Sequence, residues 1–135
     1  MAVSTRTEYA LRALIEIPAK GSVSAHSICE RQQLPKKYIE HLLSALKKAG
    51  LITSSSGSRG GYTLARPADQ ISLWDIMEAV DDHTQVSECE MDKQFCLGED
   101  CPFKPVFLDL AAKQRQLFRK YSLAGIAKSM SKEKK

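Results

Sequence analysis

Apolar residues recur every three or four positions along most of this 135-residue chain, the spacing that gathers them on one face of a helix. Residues 4–17 are predicted as a first helix. Ser4 or Thr5 is placed to cap it, Glu8 suits its first turn, and Tyr9, Ala10, Ala13, Leu14 and Ile17 share a face. Pro18 and Gly21 end it. A shorter helix is expected over 24–33, with Ile28 and Cys29 on its apolar side. Leu34-Pro35 makes a tight turn, and Pro35 fits the first position of a third helix that runs to Ala49, with Gly50 just beyond. Its apolar stripe is Tyr38, Ile39, Leu42, Leu43 and Leu46. Lys36, Lys37, Glu40, His41, Ser44, Lys47 and Lys48 fall outside the stripe.

The period then changes. Leu51-Ile52-Thr53 and Tyr62-Thr63-Leu64 are β-prone, and SSSGSRGG (54–61) between them is a polar loop, so a β-hairpin is predicted. Pro67 and Asp69 interrupt the chain, and Ser72 caps a helix over Leu73–Asp81 that carries Trp74. Pro105 opens the longest helix, which reaches Tyr121 with Val106, Phe107, Leu110, Ala111, Gln114, Leu117 and Phe118 on one stripe. Ser122 caps a last helix through Met130. The fold class is mainly α with a small β-hairpin. Two short helices joined by a turn, the second opening with basic residues and followed by a hairpin, read as a winged helix-turn-helix domain. The long C-terminal helix needs a surface to cover its stripe, and the expected surface is a second copy in a two-fold homodimer. The expected division is a DNA-binding domain at 1–82, a cysteine-rich segment at 83–104, and a dimerisation helix with a short final helix at 105–135.

Composition bounds the function. Hydrophobic residues make up 43% of the chain, enough for a real core. No apolar run approaches the ~18 residues of a membrane span, and the N-terminus lacks an apolar signal region, so a cytoplasmic protein is expected. The net charge of +4 conceals three blocks: residues 1–66 carry +6, 67–102 carry −9 and 103–135 carry +7. A basic first block suggests a polyanionic partner, double-stranded DNA. Lys36 and Lys37 are expected on phosphates, with Tyr38 either there through its hydroxyl or in the core. Glu40 and His41 are the best base readers, because Glu accepts from cytosine N4 and His meets base edges. Thr5 and Arg6 are expected on the backbone beside the helix. Arg59 at the hairpin tip is expected in a minor groove or on phosphate.

The remaining chemistry is in Cys89-EMDKQF-Cys96-LGED-Cys101-Pro102. Three of the four cysteines lie within thirteen residues of polar, aperiodic chain. Thiolates suit iron–sulfur clusters and zinc, and without a C-x-x-C pair the spacing is unlike a zinc knuckle or a redox dithiol. A disulfide with a spare thiol, or three idle cysteines, is the bland alternative. The acidic neighbours Glu88, Glu90, Asp92, Glu99 and Asp100 raise thiol pKa values and so oppose fast thiol chemistry, whereas a bound cation would deprotonate the thiols. Three thiolates leave a fourth position open.

The combined features resemble the family of winged-helix transcriptional regulators that includes IscR, NsrR and CymR. The resemblance covers nearly the whole chain and rests on TEYALRAL (7–14), YIEHLL (38–43), GLI (50–52), GSRGGYTLARP (57–67), IMEAVD (76–81) and the three-cysteine segment. It implies a bacterial DNA-binding homodimer in which Cys89, Cys96 and Cys101 hold an iron–sulfur cluster, 2Fe–2S or 4Fe–4S. IscR-like members place a His three residues after the third cysteine, and Lys104 stands there instead. NsrR-like members use an acid near the partner's N-terminus, a position held here by Glu8, which equally suits the dipole of its own helix. His83 is a spare candidate, and His26 and His41 fit less well.

The implied function is transcription regulation in which the cluster senses iron, redox or nitric oxide status. One rival is a regulator of the same fold that uses its thiols, or a protein partner, as the switch. Another is a small iron–sulfur electron carrier, which the basic helix and wing disfavour. An enzyme is not expected: no nucleophile–base motif and no cofactor-binding glycine loop is present.

Overall fold

The computed structural model describes residues 3–55, 60–82 and 101–133. Among them are six α-helices: α1 (Thr5–Ile15), α2 (Ala25–Gln32), α3 (Lys36–Lys48), α4 (Leu73–Ala79), α5 (Lys104–Lys120) and α6 (Leu123–Glu133). One antiparallel hairpin joins β1 (Ile52–Ser55) to β2 (Gly61–Leu64).

Local chemistry starts and stops these elements. Ser4 accepts from the Thr7 N–H and Ser24 from the Ser27 N–H. Ser72 and Asp75 cap each other's backbone in a reciprocal box. Ser122 accepts from the Gly125 N–H at 3.0 Å. Pro35 sits just outside α3 rather than at its first position, and α3 has no side-chain cap. At the other end of α3, Gly50 takes φ +79° and lets the Leu51 N–H reach back to the Leu46 carbonyl at 3.1 Å. The end of α4 is built the same way but two residues earlier than its apolar period suggests. Asp81 takes φ +55°, and the Asp82 N–H bonds the Met77 carbonyl at 2.9 Å.

The stripes meet in one core. Ala10, Ala13 and Leu14 of α1 pack with Ile28 of α2 and with Ile39, Leu42, Leu43 and Leu46 of α3, closed below by Leu51, Ile52, Ile71 and Ile76. Leu123 of α6 belongs to the same core. Its N–H donates to the Ile71 carbonyl and the Leu73 N–H donates to the Tyr121 carbonyl, both at 2.8 Å, so the start of α6 is tied to the start of α4. A second cluster of Trp74, Met77 and Phe118 joins α4 to α5.

The hairpin is longer than its apolar residues. The ladder pairs Ile52 with Leu64, and continues through Ser54–Tyr62 to Ser55–Gly61. Backbone pairing needs no apolar side chains, so it extends into the polar stretch expected as loop. The stretch between α1 and α2 braces it. Val23 and Tyr62 exchange N–H···O bonds of 3.1 and 2.8 Å, and Thr63 donates its hydroxyl to the Gly21 carbonyl at 2.5 Å. A Cβ on Gly61 would lie 2.5 Å from the Val23 oxygen, so the contact requires glycine. Among the described residues, no helix is long and apolar enough to cross a membrane.

Candidate nucleic-acid interface

α3 is the exposed helix of the helix-turn-helix. Ile39, Leu42, Leu43 and Leu46 anchor one face at 0–1% exposure. Lys36, Lys37, Glu40, His41, Ser44, Lys47 and Lys48 all face solvent. The first turn of α3 has no acidic residue and no side-chain cap. Its free N–H groups therefore add to the charge of Lys36 and Lys37, an end suited to phosphate. The turn before α3 is held by Gln33 at φ +54°, and by the Leu34 N–H bonded to the Cys29 carbonyl at 3.1 Å.

Tyr38 is half-buried rather than free. Its ring meets Tyr9 of α1 edge-on, with centroids 5.3 Å apart and planes at 83°. Above Tyr9, at 5.8 Å, lies the Arg12 guanidinium. Arg12 is engaged within the fold: it donates from Nε to Gln32 Oε1 at 3.2 Å and to the Gln32 carbonyl. Gln32 in turn donates to Glu16 at 2.7 Å, and Arg31 approaches the same carboxylate at 3.4 Å. This polar clip fixes α2 against α1, and with it the angle at which α3 is presented. Sequence reasoning missed it because Arg12 and Gln32 lie twenty residues apart with no local pattern joining them.

Thr5 and Arg6 are exposed on the first turn of α1. They are four and three residues before Tyr9, so they extend the side of α1 that packs on α3. The structure thus brings Thr5, Arg6, Lys36, Lys37, Tyr38, Glu40 and His41 to the α1–α3 region. Arg59 lies outside the described residues. The exposed start of α2, Ser24 and His26, opens the helix-turn-helix; its composition alone gave no signal.

Cys29 is half-buried between α2 and α3. Burial raises its thiol pKa, Glu40 raises it further, and Lys36 opposes both. Of the three clustered cysteines, Cys101 is a buried free thiol just ahead of α5, and the Lys104 N–H bonds its carbonyl at 3.2 Å. Cys89, Cys96 and His83 lie outside the described residues. Among the described residues, no three His, Cys, Asp or Glu side chains converge as a metal site. Glu8 is half-buried beside an open groove of about 410 Å³, bordered also by Leu11, Ile15 and Ile126.

A helix-turn-helix whose second helix is anchored by an apolar face and shows a basic and polar one, followed by a braced hairpin, defines a winged-helix regulator rather than an enzyme. The family Rrf2, described as "Iron-dependent Transcriptional regulator", matches residues 3–129, and this chain belongs to that family. Protein rrf2 of Nitratidesulfovibrio vulgaris is 38% identical over 99 residues, 71% of this chain and 66% of that protein, so the chain spans just under two thirds of that relative's length. Solved structures agree on the fold. IscR of T. potens superposes with a TM-score of 0.72 at 30% identity, over 95% of this chain and 87% of that one. CymR, the global cysteine regulator of B. subtilis, gives 0.75 at 27% identity, over 93% and 95%.

Proposed function

We propose that this chain is a cytoplasmic transcription regulator that binds a double-stranded DNA operator as a homodimer, and that an iron–sulfur cluster sets its affinity. The observation that carries DNA binding is α3: four apolar side chains anchor it while Lys36, Lys37, Glu40 and His41 stay in solvent. In this reading Lys36, Lys37, Thr5, Arg6 and Arg59 meet the backbone, and Glu40 and His41 read bases. Residues 1–82 form the reading unit, with α6 completing its core. Residues 83–104 carry the cluster ligands and 105–135 the dimer contacts.

The dimer rests on α5. Phe103, Val106, Leu110, Leu117 and Tyr121 are each 50–55% exposed, and Phe107 is 40% exposed. Covering half of such a side chain is worth about 1 kcal/mol, so the repeated stripe on two copies favours mutual burial. Two copies also supply two reading heads for a palindromic site.

The donor set fits a soft cluster: Cys101 is a free thiol, and Cys89 and Cys96 complete three thiolate ligands within thirteen residues. Glu8 of the partner chain is the proposed fourth ligand. Lys104 does not ligate while protonated. When bound, the cluster would hold the three cysteines as thiolates and supply a redox- or nitric-oxide-sensitive tie between that segment and the dimer. Its gain or loss shifts operator affinity as a coupling free energy between two sites.

The test is iron and sulfide analysis with a visible spectrum on protein purified without oxygen, beside a Cys96→Ala variant, followed by operator titrations of both. Iron-linked visible absorbance that disappears in the variant, with a change in affinity, is the expected result. A colourless, iron-free protein that still binds DNA would establish the second reading, a thiol- or partner-switched regulator. The likeness to CymR supports that alternative.

A further inference from the structure

Asp82 is a carboxylate with 3% exposure, and buried acids persist where their oxygens are hydrogen-bonded. Its Oδ2 accepts from the Ser4 backbone N–H at 2.8 Å and from the Thr7 hydroxyl at 2.5 Å. Thr7 is itself wholly buried. Both donors belong to the start of α1, 78 and 75 positions away in the chain. The carboxylate is delivered there by the turn that ends α4. Asp81 adopts φ +55°, a conformation that disfavours any residue with a Cβ by roughly 1–2 kcal/mol. That turn sends Asp82 inward.

The three residues form a closed clasp. Ser4 caps α1 by accepting from the Thr7 N–H, and the Ser4 N–H and Thr7 hydroxyl that capping leaves over both go to Asp82. Bonds to an ionised carboxylate are about twice as strong as neutral ones, and burial shields these from salt. Thr5 and Arg6 lie between the two clasped residues, exposed, on the side of α1 whose Tyr9 packs against Tyr38 of α3. A helix start normally frays; this one is pinned to the protein body.

We propose that Asp82 is a positioning residue for DNA binding: through Ser4 and Thr7 its buried carboxylate fixes the first turn of α1, so that Thr5 and Arg6 meet the DNA backbone in register with Lys36 and Lys37. The inference rests on the reading of those four residues as backbone contacts. Its physical content is pre-organisation. An arginine on a pinned turn reaches phosphate with less ordering entropy to lose than one on a frayed turn. Asp82 is also the residue just before position 83, where the cysteine segment begins in the sequence, so these hydrogen bonds tie the chain at that point to the DNA-facing end of α1.

The test uses the full chain and a duplex selected from a random-sequence DNA pool with the wild-type protein. Thr7→Val keeps the side-chain shape and removes the hydroxyl, while Thr7→Ser keeps the hydroxyl. Each is made with and without Arg6→Ala, and binding is measured across salt concentrations where circular dichroism shows every variant folded. Thr7→Val is expected to weaken binding roughly five- to tenfold and to flatten the salt dependence, the signature of a lost phosphate contact. Thr7→Ser should stay within about twofold of wild type. In the Arg6→Ala background, Thr7→Val should cost much less than it does alone, the remainder being the contact of Thr5. If Thr7→Val does not fold, Asp82→Asn takes its place with the same expected non-additivity. Wild-type affinity in the folded Thr7→Val protein, or losses that simply add to those of Arg6→Ala, overturns the positioning role and leaves DNA binding standing. A wild-type protein that selects no duplex overturns the DNA-binding reading and this inference with it.

Discussion

Phe118 lies nearly parallel to Trp74, with ring centroids 6.4 Å apart and planes at 13°. Trp74 belongs to α4 and Phe118 to the C-terminal part of α5, so this pair seats the long helix on the DNA-reading unit. Met77 packs in the same cluster, and Arg115 covers the indole at 6.0 Å. The other side of α5 is left in solvent, which separates an inner face from an outer one on a single helix.

Phe118→Ala should therefore loosen α5 without touching the main core. Truncating a buried Phe costs about 3–5 kcal/mol, and a site at the edge of a small cluster belongs at the lower end. Trp74 is the only tryptophan in the chain, so its fluorescence reports this contact directly. Urea unfolding followed by that fluorescence should show a lower midpoint and a red-shifted folded baseline, while helix content by circular dichroism stays near wild type at low denaturant.

Leu117 points the other way. It is 50% exposed although its neighbour Phe118 is buried. Leu117→Glu should leave the single chain folded and place a charge in the proposed dimer seam. Sedimentation should then show monomer at concentrations where wild type is dimeric, and operator affinity should fall because the two half-sites are no longer read together. A wild-type protein that sediments as a monomer would remove the dimer from the proposed mechanism.

Much of this architecture was legible because it is written locally. Ser72 and Ser122 each announce a helix start, Ser4 does so with Thr5 as the other candidate and Ser24 with Ser27, and Gly50 marks a helix end. Apart from the half-buried Tyr9 and Tyr38, the stripes on α1 and α3 are buried residues of the core. What was not legible joins residues far apart in the chain. Nothing near Asp82 signals that it accepts from Thr7, and nothing near Arg12 signals Gln32. Gly61 reads as one more loop glycine until Val23 is seen 2.5 Å from where its Cβ would be. Tyr38 fitted both a surface and a core role on periodicity, and its edge-on contact with Tyr9 makes it a support for α3 with one flank left open. The exposed set on α3 followed from its period. Which of those side chains meets a base does not follow from exposure, since Glu40 and Lys47 are equally free in the chain alone.

Cys29 offers a pH-dependent readout on the same helix pair. Burial, and then Glu40, push its thiol pKa above the ordinary value. The thiolate is the reactive form, so alkylation of Cys29 in the folded protein should be slower at pH 7–8 than in the unfolded chain, and should go on accelerating above pH ~8.5, where the unfolded thiol begins to level off. Glu40→Gln removes the second cause and should speed the reaction. The sign for stability follows: folding favours the neutral thiol, so the contribution is intact below the unfolded pKa and is lost as pH rises through the folded one. Mass-resolved alkylation of Cys29 across pH, compared with Cys29→Ala stability at neutral and alkaline pH, checks both statements.

Lys37 and Glu40 should fail in different ways. Lys37 stands in the first turn of α3, where the uncapped N–H groups and Lys36 already favour phosphate. Removing a phosphate contact releases one fewer counterion, so Lys37→Ala should weaken binding to every duplex alike and reduce the salt slope by about 0.9. Glu40 lies one turn further along, exposed, with no lysine or arginine in ion-pair reach among the described residues. A carboxylate in a negative groove is unfavourable unless a cytosine amine donates to it, so Glu40→Ala should leave non-specific affinity unchanged or higher. It should relax discrimination at one base pair by about 1–3 kcal/mol. Titrating both variants against the selected duplex, and against single-base changes of it at two salt concentrations, separates the roles. Equal losses on all sequences for Glu40→Ala would make it a backbone-side residue and leave His41 as the reader on α3.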